Sequence, residues 1–155
     1  MITLELPWPP SLNHYYKHVG NKVLISKDGR LYREVVVNRI KAAGIKMLDG
    51  RSKLGVMIQL YPPDRRRRDV DNSLKCLLDA FTAGGIYEDD SQIYFLSIEK
   101  LEPMPPDGLA VVKVGFLTEM KYLFPLKECR DNYEQKNELQ KETGISTING
   151  NADAV

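Results

Sequence analysis

Histidine and cysteine are scarce in this chain of 155 residues, two of each. Cys76 and Cys129 form no disulfide framework, and Cys76 lies in an apolar helical stretch where a reduced core thiol is expected. His14 and His18 lack the H-x-x-x-H helical setting of a zinc site and the partners of a histidine-based nuclease. They read as exposed loop residues, with DNA contact as the alternative. No apolar run approaches the roughly 20 residues of a membrane-spanning helix. Residues 1–5 lead straight into a short strand instead of a signal peptide, so the expected location is cytoplasmic, with no membrane partner. A large excess of one charge is also missing: the formal net charge is +1. Composition alone therefore does not announce a nucleic-acid binder. The basic character is local, because Lys and Arg outnumber Asp and Glu over residues 1–118 and the order reverses over 119–155.

What is present reads as one domain with an appended tail. Residues 2–6 alternate as a strand and end at Pro7-Trp8-Pro9-Pro10, where prolines remove ladder donors. Residues 11–25 form a polar, aromatic-rich loop or irregular hairpin. Ser26 is the expected N-cap of a helix running to about Ala43, with Tyr32, Val36, Ile40 and Ala43 at helical spacing and Gly44 as its stop. Residues 53–61 alternate as a second strand, with Val56, Ile58 and Leu60 on one face. A second helix is expected over 72–83, with Leu74, Leu77, Leu78 and Phe81 on its apolar stripe and Gly84-Gly85 as its stop. Strands are expected over 92–101 and 109–117, joined by a hairpin loop at 102–108. The order β-α-β-α-β-β predicts an α+β domain over 1–118 with a mixed four-stranded sheet. Residues 119–155 differ in composition: a polar helix is expected over 126–142, and a disordered end after it.

Chemistry concentrates between residues 64 and 90. Asp64-Arg65-Arg66-Arg67-Arg68 runs into Asp69-Val70-Asp71-Asn72, Lys75 follows, and Glu88-Asp89-Asp90 lies beyond. Arginine runs suit phosphate, and clustered carboxylates suit Mg²⁺. A carboxylate beside a bound phosphate repels it by about 4 kcal/mol at 4 Å and an effective dielectric near 20, so the pairing asks for a metal between them. In that reading Asp69, Asp71 and Asp90 hold one or two Mg²⁺ ions, and Lys75 orients water or neutralises charge on the phosphorane. The competing reading pairs the aspartates with the arginines, and Asp69 or Asp71 caps the helix. Lys75 is equally open, because Asp71, Lys75 and Asp79 share one helical stripe and an i,i+4 salt bridge would occupy it. Pro63-Asp64 matches the opening of restriction-type nuclease motifs, but their E-x-K or D-x-K step is absent. Tyr15, Tyr16 and Lys17 either stack on bases or brace their loop, and at least one tyrosine is open to core packing.

Taken in order, these segments resemble the RusA-type Holliday junction resolvases. The resemblance rests on Leu6-Pro7-Trp8-Pro9-Pro10-Ser11 with Asn13, Tyr15 and Tyr16, a helix opening near Ser26, and Tyr32-Arg33. It continues through Pro63-Asp64-Arg65-Arg66-Arg67-Arg68-Asp69-x-Asp71-Asn72-x-x-Lys75 and ends at Asp89-Asp90-x-Gln92, spanning about residues 2–118. It implies a small homodimeric, Mg²⁺-dependent endonuclease of bacterial or phage origin that nicks four-way DNA junctions symmetrically in recombination and repair. Asp69, Asp71, Asp90 and Lys75 match its catalytic residues. Candidate DNA contacts are Arg65, Arg66, Arg67, Arg68, Asn72, Asn13, Tyr15 and Lys17. The tail departs from the family pattern. Two alternatives stand beside this reading: a broader nuclease for branched DNA, and a catalytically silent DNA-binding module.

Overall fold

The computed structural model describes residues 1–120, and its first element, β1 (Ile2–Pro7), is the alternating segment that ends at the prolines. Residues 11–25 fold as a single helical turn, α1 (Leu12–Tyr15), followed by an antiparallel hairpin of β2 (Tyr16–Val19) and β3 (Lys22–Ile25). The next helix, α2 (Lys27–Ala42), starts where expected. Ser26 caps it, its Oγ accepting the Gly29 amide at 2.9 Å and satisfying one of the helix's orphan donors. Tyr32, Val36 and Ile40 recur every four residues and form its buried face.

After β4 (Leu54–Tyr61) comes the arginine run, then a 3₁₀ turn (Asp71–Ser73) and α3 (Leu74–Gly84). Helical geometry was expected from Asn72, yet the α-helix itself begins at Leu74. The Leu74 amide bonds Asp71 O, closing a tighter i→i+3 turn first. Neither Asp69 nor Asp71 caps α3: its N-cap is Ser73, with no side-chain bond. Gly85 ends the helix in the left-handed region at φ 72°, where a residue without Cβ is favoured. A second 3₁₀ turn (Asp90–Gln92) leads into β5 (Ile93–Lys100), and β6 (Leu109–Phe116) and one helical turn, α4 (Leu117–Met120), follow.

The sheet order is β1-β6-β4-β5. β6 lies antiparallel between β1 and β4, whereas β4 and β5 are parallel, so the mixed four-stranded α+β sheet is present. A parallel pair needs a long crossover, and that crossover is the segment carrying the arginines and α3. The core fills one face of the sheet. Leu4 and Leu6, Ala110, Val112 and Val114, and Val56, Ile58 and Leu60 lie in register across three strands, under the apolar stripes of α2 and α3. On α3, burial of Leu77 and Phe81 stabilises its placement by about 1.5–3 kcal/mol each and turns Lys75 and Asp79 away from the core.

Met120 is buried against Gly55, two residues past the expected boundary at 118. The helix expected over 126–142 and the segment after it lie outside the described residues. Among the described residues, no helix is long and apolar enough to cross a membrane.

Candidate active site

The four arginines differ in their surroundings. Arg68 turns back onto Asp64, donating from Nη1 to Oδ1 and from Nη2 to Oδ2, the latter at 2.9 Å. The Arg66 amide donates to the same carboxylate at 2.8 Å. The hydrogen bond from Arg68, reinforced by the Arg66 amide, holds the Asp64 carboxyl well below the usual carboxylate range. Trp8 lies under the Arg68 guanidinium at 5.8 Å, and Lys100 Nζ donates to the Arg68 carbonyl at 3.0 Å. Arg68 thus braces the bend, while Arg65, Arg66 and Arg67 face solvent. The expected arginine–aspartate pairing is realised, but by Asp64. Among the described residues no ion pair joins an arginine to Asp69 or Asp71.

Asp69 and Asp71 are exposed at the loop–helix junction, and Asn72 Nδ2 donates to Asp69 Oδ2 at 3.4 Å. One turn on, Lys75 Nζ stands 2.8 Å from Asp79 Oδ1 and 3.4 Å from Asp90 Oδ2. Lys75 is therefore salt-bridged within α3, and it also reaches a carboxylate 15 residues away. The bond to Asp79, with Asp90 as the lesser contributor, raises the Lys75 pKa and keeps the side chain cationic.

Asp90 owes its position to its neighbours in the D-D-x-Q segment. Asp89 is the N-cap of the 3₁₀ turn and accepts the Ser91 amide at 2.9 Å; the Ser91 side chain, with that amide, lowers its pKa. Gln92 is buried. Its Oε1 accepts the Glu88 and Asp89 amides, and its Nε2 donates to the Asp49 and Ser52 carbonyls. With Asp89 and Gln92 occupied in building the turn, Asp90 is the acid left facing Lys75.

Arg33, Lys75, Asp79, Thr82, Asp89 and Asp90 line an open cleft of about 420 Å³. Of the predicted catalytic residues, the fold brings Lys75 and Asp90 together in it. Asp69 and Asp71 lie outside its lining. Among the described residues, no three Asp, Glu, His or Cys side chains converge as a preassembled metal cage.

Tyr15 requires a correction as a DNA contact. It is fully buried, and its hydroxyl accepts a bond from Arg33 Nη2 at 3.0 Å, so it braces the N-terminal segment and offers no face to a base. Asn13, Lys17 and both histidines are exposed on α1 and β2, with His14 Nδ1 2.7 Å from Ser11 Oγ. Burial pushes the Cys76 thiol up to about 12, as fits an unreactive core residue. Two cleft residues escaped the sequence reading as functional groups, Arg33 and Asp79; Tyr16, read there as stacking on bases or bracing its loop, donates from its hydroxyl to Asp79 Oδ2 at 2.7 Å. The available signals were Tyr32-Arg33 within the resemblance and the Lys75–Asp79 spacing.

The family described as "Endodeoxyribonuclease RusA" matches residues 7–111. A crossover junction endodeoxyribonuclease RusA of Shigella sonnei is 42% identical over 118 residues, covering 73% of this chain and 95% of the relative. Its counterpart from Escherichia coli K12 is 41% identical over the same shares. That of Enterobacteria phage 82 is 41% identical over 117 residues, or 72% of this chain and 94% of the phage protein. The aligned region takes in the arginine run, α3 and the D-D-x-Q turn together, and the chain belongs to the RusA endodeoxyribonuclease family.

Proposed function

We propose that this chain is a Mg²⁺-dependent endodeoxyribonuclease that acts as a homodimer to resolve four-way DNA junctions by paired nicks in recombination and repair, within a bacterial cytoplasm or a phage-infected cell. The observation that carries the reading is the meeting of Lys75 with Asp90 in one cleft, reached from two segments that both lie within the family match.

Asp69, Asp71 and Asp90 form an oxygen-only donor set, which suits a hard divalent cation. Mg²⁺ keeps several waters and is commonly held by one or two carboxylates plus substrate phosphate, so a closed cage is not needed beforehand. The fit is chemical: Asp69 and Asp71 are exposed carboxylates in the loop and 3₁₀ turn before α3, and Asp90 is a half-exposed one on the 3₁₀ turn before β5. The bound ion would supply Lewis-acid polarisation of the scissile phosphate and a more acidic water. Lys75 is protonated at neutral pH, which suits it to stabilise charge on the phosphorane or the leaving oxygen rather than to take a proton from water. Arg65, Arg66 and Arg67 supply phosphate contacts without sequence preference, with Asn72, Asn13 and Lys17 as further contacts; Arg68 fixes the bend and can share its remaining edge. Binding should therefore weaken steeply as salt rises. One domain presents one cleft and a junction needs two nicks, so a two-fold dimer matches the symmetry of its substrate.

The test is cleavage of an end-labelled mobile four-way junction beside linear duplex and a flapped duplex, with Mg²⁺ or with chelator, paired with light scattering. Paired nicks on the junction by a dimer are expected. Equal cutting of all three substrates favours a broader nuclease for branched DNA. Junction binding without cutting in Mg²⁺ identifies a silent DNA-binding module.

A further inference from the structure

Asp79 and Tyr16 lie beside the candidate catalytic lysine, and neither belongs to the predicted ligand set. Asp79 has only 19% of its side chain exposed, and both of its oxygens are engaged: Oδ1 by Lys75 and Oδ2 by the Tyr16 hydroxyl. A carboxylate gripped at both oxygens has a fixed plane. Tyr16 is fixed in turn. Its ring meets Tyr15 edge-on, with centroids 4.8 Å apart and planes at 90°. Tyr15 is held by Arg33 Nη2 at its hydroxyl and by the Ser26 amide, 2.7 Å from its carbonyl oxygen. The start of α2 approaches that carbonyl so closely that a Cβ on Gly29 would stand 2.6 Å from it, a distance real Cβ atoms do not adopt. A continuous set of contacts thus runs from α2 through α1 and β2 to Asp79 and ends at the Lys75 ammonium.

We infer that Asp79 and Tyr16 are positioning residues that hold the Lys75 ammonium beside Asp90. This rests on the endonuclease reading above. The physical need follows from lysine itself, whose flexible stem carries about 2 kcal/mol of rotamer entropy and whose head, here half exposed, is free to swing into water. The shorter contact, 2.8 Å to Asp79 against 3.4 Å to Asp90, shows which carboxylate anchors the ammonium and which one it only faces. A simple i,i+4 surface pair would need no second element to orient it. This pair has Tyr16, 63 residues from Asp79, dedicated to it.

The experiment compares the wild-type chain with Asp79→Asn, Tyr16→Phe and the double variant. It measures single-turnover cutting of a four-way junction at saturation, junction Kd in chelator, and Tm. Asp79→Asn should cut on the order of 10²-fold more slowly, the size of effect that misplacing a reacting group causes. Tyr16→Phe, which loses one hydrogen bond to a charged group, should cut roughly 10-fold more slowly. The double variant should be no slower than Asp79→Asn alone, because both act through one lysine. Junction Kd should stay within about twofold of wild type, with Tm lowered by only a few degrees. Wild-type cutting by Asp79→Asn, rates that fall only in step with Kd or Tm, or multiplying effects in the double variant would each overturn the inference. If Asp79→Asn does not fold, Tyr16→Phe decides the matter, since an unimpaired rate refutes the positioning role. A wild-type chain that leaves junctions uncut removes the endonuclease reading and this inference together. Wild-type cutting with an unimpaired Asp79→Asn removes this inference alone.

Discussion

Replacing Lys75 by Met separates catalysis from stability. The substitution keeps an unbranched stem with nearly the same helix propensity and deletes only the charge. Lys75 is 53% exposed, so its pair with Asp79 is screened and contributes about 0.3–0.5 kcal/mol. Asp79 keeps the Tyr16 hydroxyl and loses one bond, which costs about 1 kcal/mol at most because water can reach the vacated oxygen. For a domain of this size the total lowers Tm by roughly 4–8 °C. Starting from even ~5 kcal/mol of stability, about 4 kcal/mol would remain, leaving only ~0.1% of molecules unfolded at 25 °C. Unfolding therefore cannot account for a large loss of rate. Removing a charge that stabilises the transition state typically costs 10²–10³-fold in kcat, or about 3–4 kcal/mol. The assay is single-turnover nicking of a labelled junction at 25 °C alongside a thermal melt of the same preparation. A rate within about threefold of wild type, far short of the loss expected for such a charge, would show that Lys75 is structural. So would a loss that disappears when variants are compared at equal distance below their Tm.

Further outcomes can be checked in the same way. Asp71→Asn should lower Mg²⁺-dependent cutting by at least ~10²-fold while junction binding by gel shift stays equal or tightens, because an anion near DNA is removed. Gln92→Ala should cost about 3 kcal/mol in a denaturant melt, since it leaves the Glu88 and Asp89 amides and the Asp49 and Ser52 carbonyls without their partner. It should also slow cutting by loosening Asp90, even where the variant is folded. Asp64 has a folded pKa depressed below its ordinary 3.8, so its ion pair stabilises the fold above that value and the contribution is lost as pH falls further. Asp64→Asn should accordingly melt lower at pH 6, with a gap that narrows only as pH falls well below 3.8 toward the depressed folded value; a gap that does not change with pH would refute this. A chain ending at Met120 should fold and cut junctions, whereas ending it at Glu119 removes a buried side chain and should lower Tm.

Much of the fold was legible because burial leaves a periodic trace. Val56, Ile58 and Leu60 mark a strand, and Leu74, Leu77, Leu78 and Phe81 mark a helix, since side chains alternate every two residues in one and recur every 3.6 in the other. Local chemistry was legible for the same reason: Lys75 and Asp79 share a stripe whatever α3 packs against. The sequence could not show which stripes meet. Lys75 facing Asp90 depends on the β4–β5 crossover and on the four hydrogen bonds of Gln92, two of which reach back to the loop before β4.

Charge pairing was not legible, because partners at similar sequence distance compete and geometry chooses between them. Asp64 took Arg68, while Asp69 and Asp71 stayed exposed. Tyr15 and Tyr16 are adjacent and chemically alike, so no periodic signal separates a buried brace from a residue facing Asp79. The close approach of α2 at Gly29 and the bond from Arg33 decide it. The sequence by itself determined the elements, their apolar faces and the chemistry each polar stripe carries, because those follow from backbone periodicity. The tertiary structure alone decided which carboxylate meets the lysine and which tyrosine steadies it, because those contacts join residues whose separation along the chain carries no local signature.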